Sequence, residues 1–214
     1  MNSVPTKFTR LDMNRLITFT QQAFQKVGTN EKDASLMAKL LVETDLRGVF
    51  SHGTRQLDGY IQMMIDQKVN PRPNIQIEVS GQTTAVFDGD GGMGHLPSYQ
   101  AAQFVVEAAK SSGIAGAVTR NHFHFGAAGK YSRLALEQDC IGFATSAHRF
   151  RPSKDHSILS ASGASPISFA IPAGKQPPIV IDMGAYLGGS GELSQDQLFK
   201  YIPVSYTHLT LPTK

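Results

Sequence analysis

PRPNIQIEVSGQTTAVFDGDGGMG (71–94) is where the periodicity of this chain changes. Before Pro71 apolar residues recur at helical spacing. After Pro73 the short runs IQIEV (75–79) and TAVFDG (84–89) read as strands turning around Gly81. Upstream, residues 12–27 form a helix with Met13, Leu16, Ile17, Ala23, Phe24 and Val27 on one face, ended by Gly28. Asn30, with Asp33 three residues on, caps a second helix to about Asp45 that turns Ala34, Met37, Ala38 and Leu41 inward. A third starts near Thr54, carries Leu57, Tyr60, Ile61, Met64 and Ile65 on one stripe, and stops before the prolines.

Downstream, residues 97–112 form a helix that stops at Gly113, with Ala101, Ala102, Val105, Ala108 and Ala109 buried. AGAVTRN (115–121) is a strand, Ala127–Gln138 a helix, and CIGFATS (140–146), ISFAIP (167–172) and PIVIDM (178–183) are strands. The fold class is therefore α/β, with a helical N-terminal layer over 8–70 and a mixed α/β domain over 74–190. VSYTHLTLPTK (204–214) has no periodicity that ties it to what precedes, and reads as a non-native tail outside the fold.

The 214 residues are 41% hydrophobic and 17% charged, a globular profile long enough to bury a core without disulfides. The single cysteine, Cys140, lies in an apolar run and reads as a small buried thiol. No apolar run approaches the roughly 18 residues of a membrane span, and there is no signal-peptide pattern, so the expectation is a soluble, cytoplasmic protein. The net charge of +3 comes from scattered basic residues, which argues against nucleic acid as a partner.

Three segments carry chemistry. GDGGMG (89–94) has glycines that would let a backbone approach a phosphate. It fits neither G-x-G-x-x-G between strand and helix nor a Walker loop, and reads as a flexible loop over a site or at a hinge. RGVFSHGTRQLDGY (47–60) places Ser51 and His52 on a loop with Arg47, Arg55 and Tyr60 close in sequence. Reduction of a 2-oxo acid needs a proton donor at the new hydroxyl, which histidine supplies near neutral pH. It also needs a cation for the carboxylate, which arginine supplies through its fork. The plainer alternative is that Ser51 caps a helix and His52 packs beside it. A serine nucleophile is rejected, because adjacent side chains point apart and there is no G-x-S-x-G elbow. RNHFHFGAAGKY (120–131) sets Asn121, His122, His124 and Gly126 at a strand-to-helix junction, where open α/β sheets bind ligands. His122 and His124 share a face in extended chain and, with His148 and His156, raise the thought of a metal. Carboxylates are poorly placed for one, and none is expected.

Together these blocks resemble the malate/L-lactate dehydrogenase family, also described as sulfolactate dehydrogenase-like. The residues that carry the resemblance are DLRGVFSHG (45–53), Tyr60 and GIAGAVTRNHFHFGAAGKY (113–131). CIGFATS (140–146), GASPISFAIP (163–172) and IVIDM (179–183) follow in order. The resemblance spans about residues 8–190. It implies that 74–190 is a non-Rossmann NAD(P)-binding α/β domain using NAD or NADP. It also implies hydride transfer with a small 2-hydroxy or 2-oxo acid, or a related cyclic imino acid, in a homodimer. His52 would be the acid/base, Ser51 its assistant, Arg55 or less readily Arg47 the carboxylate clamp, and Tyr60 a wall of the substrate pocket. His124, Asn121, Gly126, Thr145, Ser146, Ser165, Asp182 and Met183 match cofactor-side positions.

There are departures. The family's arginine four residues after the S-H-G histidine is Gln56 here, with Arg55 one position earlier, about 100° round a helix. The G-T-N-P turn reads GASP, so Ser165 replaces an asparagine, and T-N reads Thr145-Ser146. Family members run past this length, so the expectation is a C-terminally truncated chain. The rival reading is an inactive fragment or binding module without turnover.

Overall fold

The computed structural model describes residues 7–146 and 165–185. The tail 204–214, His148 and His156 lie outside them.

Three helices come first. α1 (Met13–Lys26) opens on Asp12, whose carboxylate accepts from the Arg15 amide at 2.9 Å. α2 (Glu31–Leu46) opens on Asn30, whose Oδ1 accepts from the Asp33 amide at 2.9 Å. Gly28, at φ +100°, makes the left-handed turn between them. Asn30→Ala should cost about 1 kcal/mol, read as a lower urea midpoint at unchanged slope. A variant as stable as the parent would mean that packing, not the cap, starts α2.

α3 (Leu57–Ile65) completes the helical layer. Phe24, Met37, Leu41, Tyr60, Met64 and Val69 pack together, and Met93 of the glycine run and Leu96 beyond it join the same cluster. One core therefore runs from the helical layer into the α/β part. Ile65, expected on the inward stripe, is exposed. Cys140, expected buried, is half-buried.

β1 (Gln76–Ser80) pairs antiparallel with β2 (Thr84–Asp88). β2 pairs parallel with β3 (Gly116–Arg120) through the crossover helix α4 (His95–Ser112), which ends at the left-handed Gly113. β4 (Gly142–Thr145), β5 (Ser165–Ile171) and β6 (Ile179–Ala185) form a second, wholly antiparallel sheet.

Between the sheets, the helix expected over 127–138 is only the one-turn α5 (Gly129–Ser132), followed by a 3-10 stretch over Arg133–Gln138. The tightening has a steric setting. A Cβ on Gly142 of β4 would stand 2.0 Å from the Ser132 carbonyl oxygen, so the strand backbone presses on this turn. Among the described residues no helix is long and apolar enough to cross a membrane.

Candidate active site

α2 ends through Gly48 at φ +77°, with the Gly48 amide bonded to the Asp45 carbonyl at 2.8 Å. Two 3-10 turns follow, Phe50–His52 and Thr54–Gln56, before α3 begins. Asp45 holds the second turn. Its Oδ2 accepts from the Thr54 amide at 3.0 Å and from the Thr54 hydroxyl at 2.5 Å. A Cβ on Gly53 would lie 1.8 Å from Asp45 Oδ1, so the glycine of S-H-G is what lets this carboxylate reach the turn.

Within the first turn Ser51 Oγ lies 2.8 Å from His52 Nδ1. Adjacent side chains do not point apart here, because a 3-10 turn is not extended chain, and that ground for setting serine aside fails. The bond is instead that of a hydroxyl orienting an imidazole through Nδ1, which leaves Nε2 for a reacting group. The N-cap residues of the second 3-10 turn and of α3, Gly53 and Gln56, make no side-chain capping bond, and the turn is held by Asp45 rather than by Ser51.

Three elements converge on His52. Tyr60 of α3 places its hydroxyl 2.5 Å from Nδ1 of His124. The His52 and His124 rings are 5.6 Å apart, and the Tyr60 and His95 rings also 5.6 Å. His95, in the first turn of α4, is fully buried, and neither ring nitrogen reaches a hydrogen-bond partner. Lys130 of α5 is 5% exposed, and its ammonium has none either. A Cβ on Gly126 would stand 2.5 Å from Lys130 Nζ and 2.7 Å from His95 Nε2, so this left-handed glycine (φ +77°) closes over both groups.

Burial, and then the nearby Lys130 charge, push the His52 pKa below 6.5, with Asp182 pulling weakly the other way. Burial and the same lysine hold His95 well below its ordinary value. Burial raises Tyr60. Lys130 is brought down to about 7, by burial first and Arg47 next, against Asp45, Asp182 and Glu43. Of these groups Lys130 is the one brought into the physiological range.

The glycine run is not a flexible loop. The Gly89, Gly91 and Gly94 amides donate to the carbonyls of Arg120, Asn121 and His124 at 2.9, 2.8 and 3.0 Å, and the Phe123 amide donates to Gly92 at 2.9 Å. A Cβ on Gly94 would meet the Phe123 carbonyl oxygen at 2.5 Å. The glycines let 120–124 lie directly on 89–94, and so place His124.

Other expected residues separate. His122 spends Nδ1 on the Phe123 carbonyl at 2.7 Å and Nε2 on Thr119 at 2.8 Å, away from the cluster. Asn121, at φ +51°, donates to Asp88. Thr145 donates to the Pro166 carbonyl at 2.8 Å. Ser165 pairs with Ala185 at the end of the second sheet, and Ser146 follows β4. Met183 is exposed on β6. Asp182 comes to the cluster: a Cβ on Gly129 would stand 2.5 Å from its Oδ2. Arg55 is exposed, while Arg47 lies against Glu43 at 3.5 Å and close enough to act on Lys130. No group of three potential metal ligands occurs among the described residues.

Imidazoles, a phenol and a buried ammonium are thus gathered in one cluster on an α/β fold whose glycine run is structural. The chain belongs to the malate/L-lactate dehydrogenase family, whose model matches residues 11–193. It is 34% identical to malate dehydrogenase of Pyrococcus horikoshii over 190 residues, 89% of this chain and 52% of that protein. It is 41% identical to L-sulfolactate dehydrogenase of Methanocaldococcus jannaschii over 118 residues, 55% of this chain and 34% of that protein. The structure of the P. horikoshii enzyme superposes with a TM-score of 0.77 at 32% identity, covering 88% of this chain and 54% of that one. The M. jannaschii enzyme gives 0.73 at 29%, covering 94% and 56%. The chain spans about half the length of the curated relatives it matches.

Lys130 and His95 were not singled out in the sequence. Lys130 had one available signal, a lysine inside an otherwise apolar and glycine block, FGAAGKY (125–131).

Proposed function

We propose that this chain forms the substrate side of an oxidoreductase that moves hydride between NAD or NADP and a small 2-hydroxy/2-oxo acid of the malate or sulfolactate kind. The observation that carries the reading is the Ser51–His52 bond set beside the Tyr60–His124 pair, two imidazoles whose rings are 5.6 Å apart. The nicotinamide cofactor, when bound, supplies or accepts the hydride. Asp182 and Met183 would hold its ring end: Met183 is exposed, and Asp182 borders the His52–Lys130 cluster. Thr145, Ser146, Ser165, His124, Asn121 and Gly126 are assigned to the cofactor side on the family resemblance.

His52 gives a proton to the carbonyl oxygen during reduction and takes it back during oxidation, held by Ser51. Tyr60 and His124 border the reacting carbon, and Arg55 closes on the substrate carboxylate. The assembly is a cytoplasmic homodimer in this reading. Support for a covered face comes from exposed Phe143, Phe169 and Ile181 on the second sheet, and sedimentation tests it.

The test is titration of NADH and NADPH by fluorescence, with oxaloacetate or sulfopyruvate then added to follow oxidation of the reduced cofactor. Cofactor binding without turnover on any 2-oxo acid would favour the binding-module reading. For malate oxidation His52 must start deprotonated. Its pKa is lowered, so kcat/KM should rise with pH through a limb below the ordinary histidine value of 6.5. Arg55→Ala should raise the substrate KM about 10–100-fold, the worth of a charged hydrogen bond, with kcat less affected. A larger KM effect from Arg47→Ala would move the clamp to Arg47.

A further inference from the structure

The ammonium of Lys130 is the least explained charge in the described structure. Lys130 is 5% exposed, and its ammonium makes no hydrogen bond or ion pair among the described residues. A buried, unpartnered ammonium is strongly disfavoured, and an anion entering beside it would supply the missing partner. The groups facing it are Glu43 and Asp45 of α2, Arg47 at its end, His52, His95 of α4 and Asp182 of β6. The acids among them are engaged elsewhere or stand off. Asp45 is bonded to Thr54, Glu43 lies against Arg47 and Lys39, and Asp182 is beyond ion-pair distance. Gly126 closes the near side, since any Cβ there would displace both Lys130 Nζ and His95 Nε2.

We propose that Lys130 is an anion anchor of the substrate pocket, its ammonium taking a carboxylate or sulfonate oxygen of the acid while His95 offers a second, neutral ring donor beside it. This rests on the hydroxyacid dehydrogenase reading above and adds a residue that sets which acids bind. A 2-hydroxy acid with two anionic groups then has a cation for each, Arg55 at the rim and Lys130 in the interior. A bound anion also restores the charge that burial suppresses, so binding draws a proton onto Lys130. Affinity should be highest below a pH of about 7 and fall as pH rises through that value.

The experiment uses the NADH-loaded protein and two dead-end probes, oxamate with one carboxylate and tartronate with two, titrated by quenching of NADH fluorescence across pH. The variants are Lys130→Met and Lys130→Arg. Lys130→Met should weaken binding of at least one probe tenfold or more, leave NADH affinity unchanged, and remove the decline above pH 7. Loss for both probes assigns the carboxylate that they share, and loss for tartronate alone assigns the second carboxylate. Lys130→Arg should restore affinity and carry it to higher pH. Lys130→Met should also melt no lower than the parent, since it removes a buried charge, which separates lost binding from lost folding. Unchanged probe affinity in a folded Lys130→Met overturns the proposal while leaving the dehydrogenase reading in place. So does weakened NADH binding with intact probe binding, or a decline above pH 7 that survives the substitution. A parent protein that binds NADH but neither probe, and oxidises neither malate nor lactate, overturns both.

Discussion

His52→Ala should lower kcat for malate or lactate oxidation by about 10²–10⁴-fold, with NADH affinity little changed. Hydride leaving the substrate carbon requires the hydroxyl proton to leave as well, and a positioned imidazole lowers the barrier by that order. His52 is half-buried, its Nδ1 is occupied by Ser51 Oγ at 2.8 Å, and the cluster that surrounds it lowers its pKa. It therefore starts as a neutral base at pH 7 with Nε2 free to accept. His124 is a second imidazole 5.6 Å away, but its Nδ1 is already bonded to Tyr60. Tyr60→Phe breaks that bond and leaves His52 untouched, so it should cost far less than His52→Ala. Steady-state kinetics on both variants decides the matter. Near-full turnover in His52→Ala with a collapse in Tyr60→Phe would transfer the proton to the Tyr60–His124 pair.

Local features of the fold were readable from the chain. The Asn30 cap and the stop at Gly113 depend on side chains within a few residues, so sequence spacing carries them. The change of period at Pro71 located the passage from helices to strands for the same reason. The two-sheet arrangement did not follow from the strands themselves. Nothing in TAVFDG says that it pairs parallel with a strand beyond α4, or that the later strands form a separate antiparallel meander.

The site was legible as chemistry and less so as geometry. His52, Ser51 and Tyr60 stand together because the S-H-G loop and α3 are contiguous. Lys130 and His95 escaped notice because their significance lies in burial, and burial depends on Gly126 and on helices far away in sequence. His122 and His124 look alike in the alternating string, yet one is spent on Thr119 and the other faces Tyr60. A glycine run reads the same whether its glycines serve mobility or close approach. Only the backbone bonds from Gly89, Gly91 and Gly94 to 120–124 distinguish the two.

That distinction yields a second large effect, Gly94→Ala. The Gly94 amide donates to the His124 carbonyl at 3.0 Å, and an added Cβ would meet Phe123 O at 2.5 Å, His122 Nδ1 at 2.6 Å and Phe125 Cβ at 2.8 Å. One of these is backbone and cannot rotate away, so the 121–125 segment must shift, and His124 with it. Overpacking of this kind costs about 1–3 kcal/mol of stability. A misplacement near 1 Å at a reacting centre costs roughly 10²-fold in rate. Gly94→Ala should therefore fold with a lowered melting temperature and lose about 10²-fold in kcat. Gly91 is the internal control. Its φ is positive, +66°, unlike that of Gly94, and nothing lies within 4 Å of its would-be Cβ. Gly91→Asn, a residue that tolerates the left-handed region, should keep most of its activity. Equal losses from the two variants would mean that the run acts through its flexibility after all. A fully active Gly94→Ala would mean that His124 is placed by Tyr60 alone.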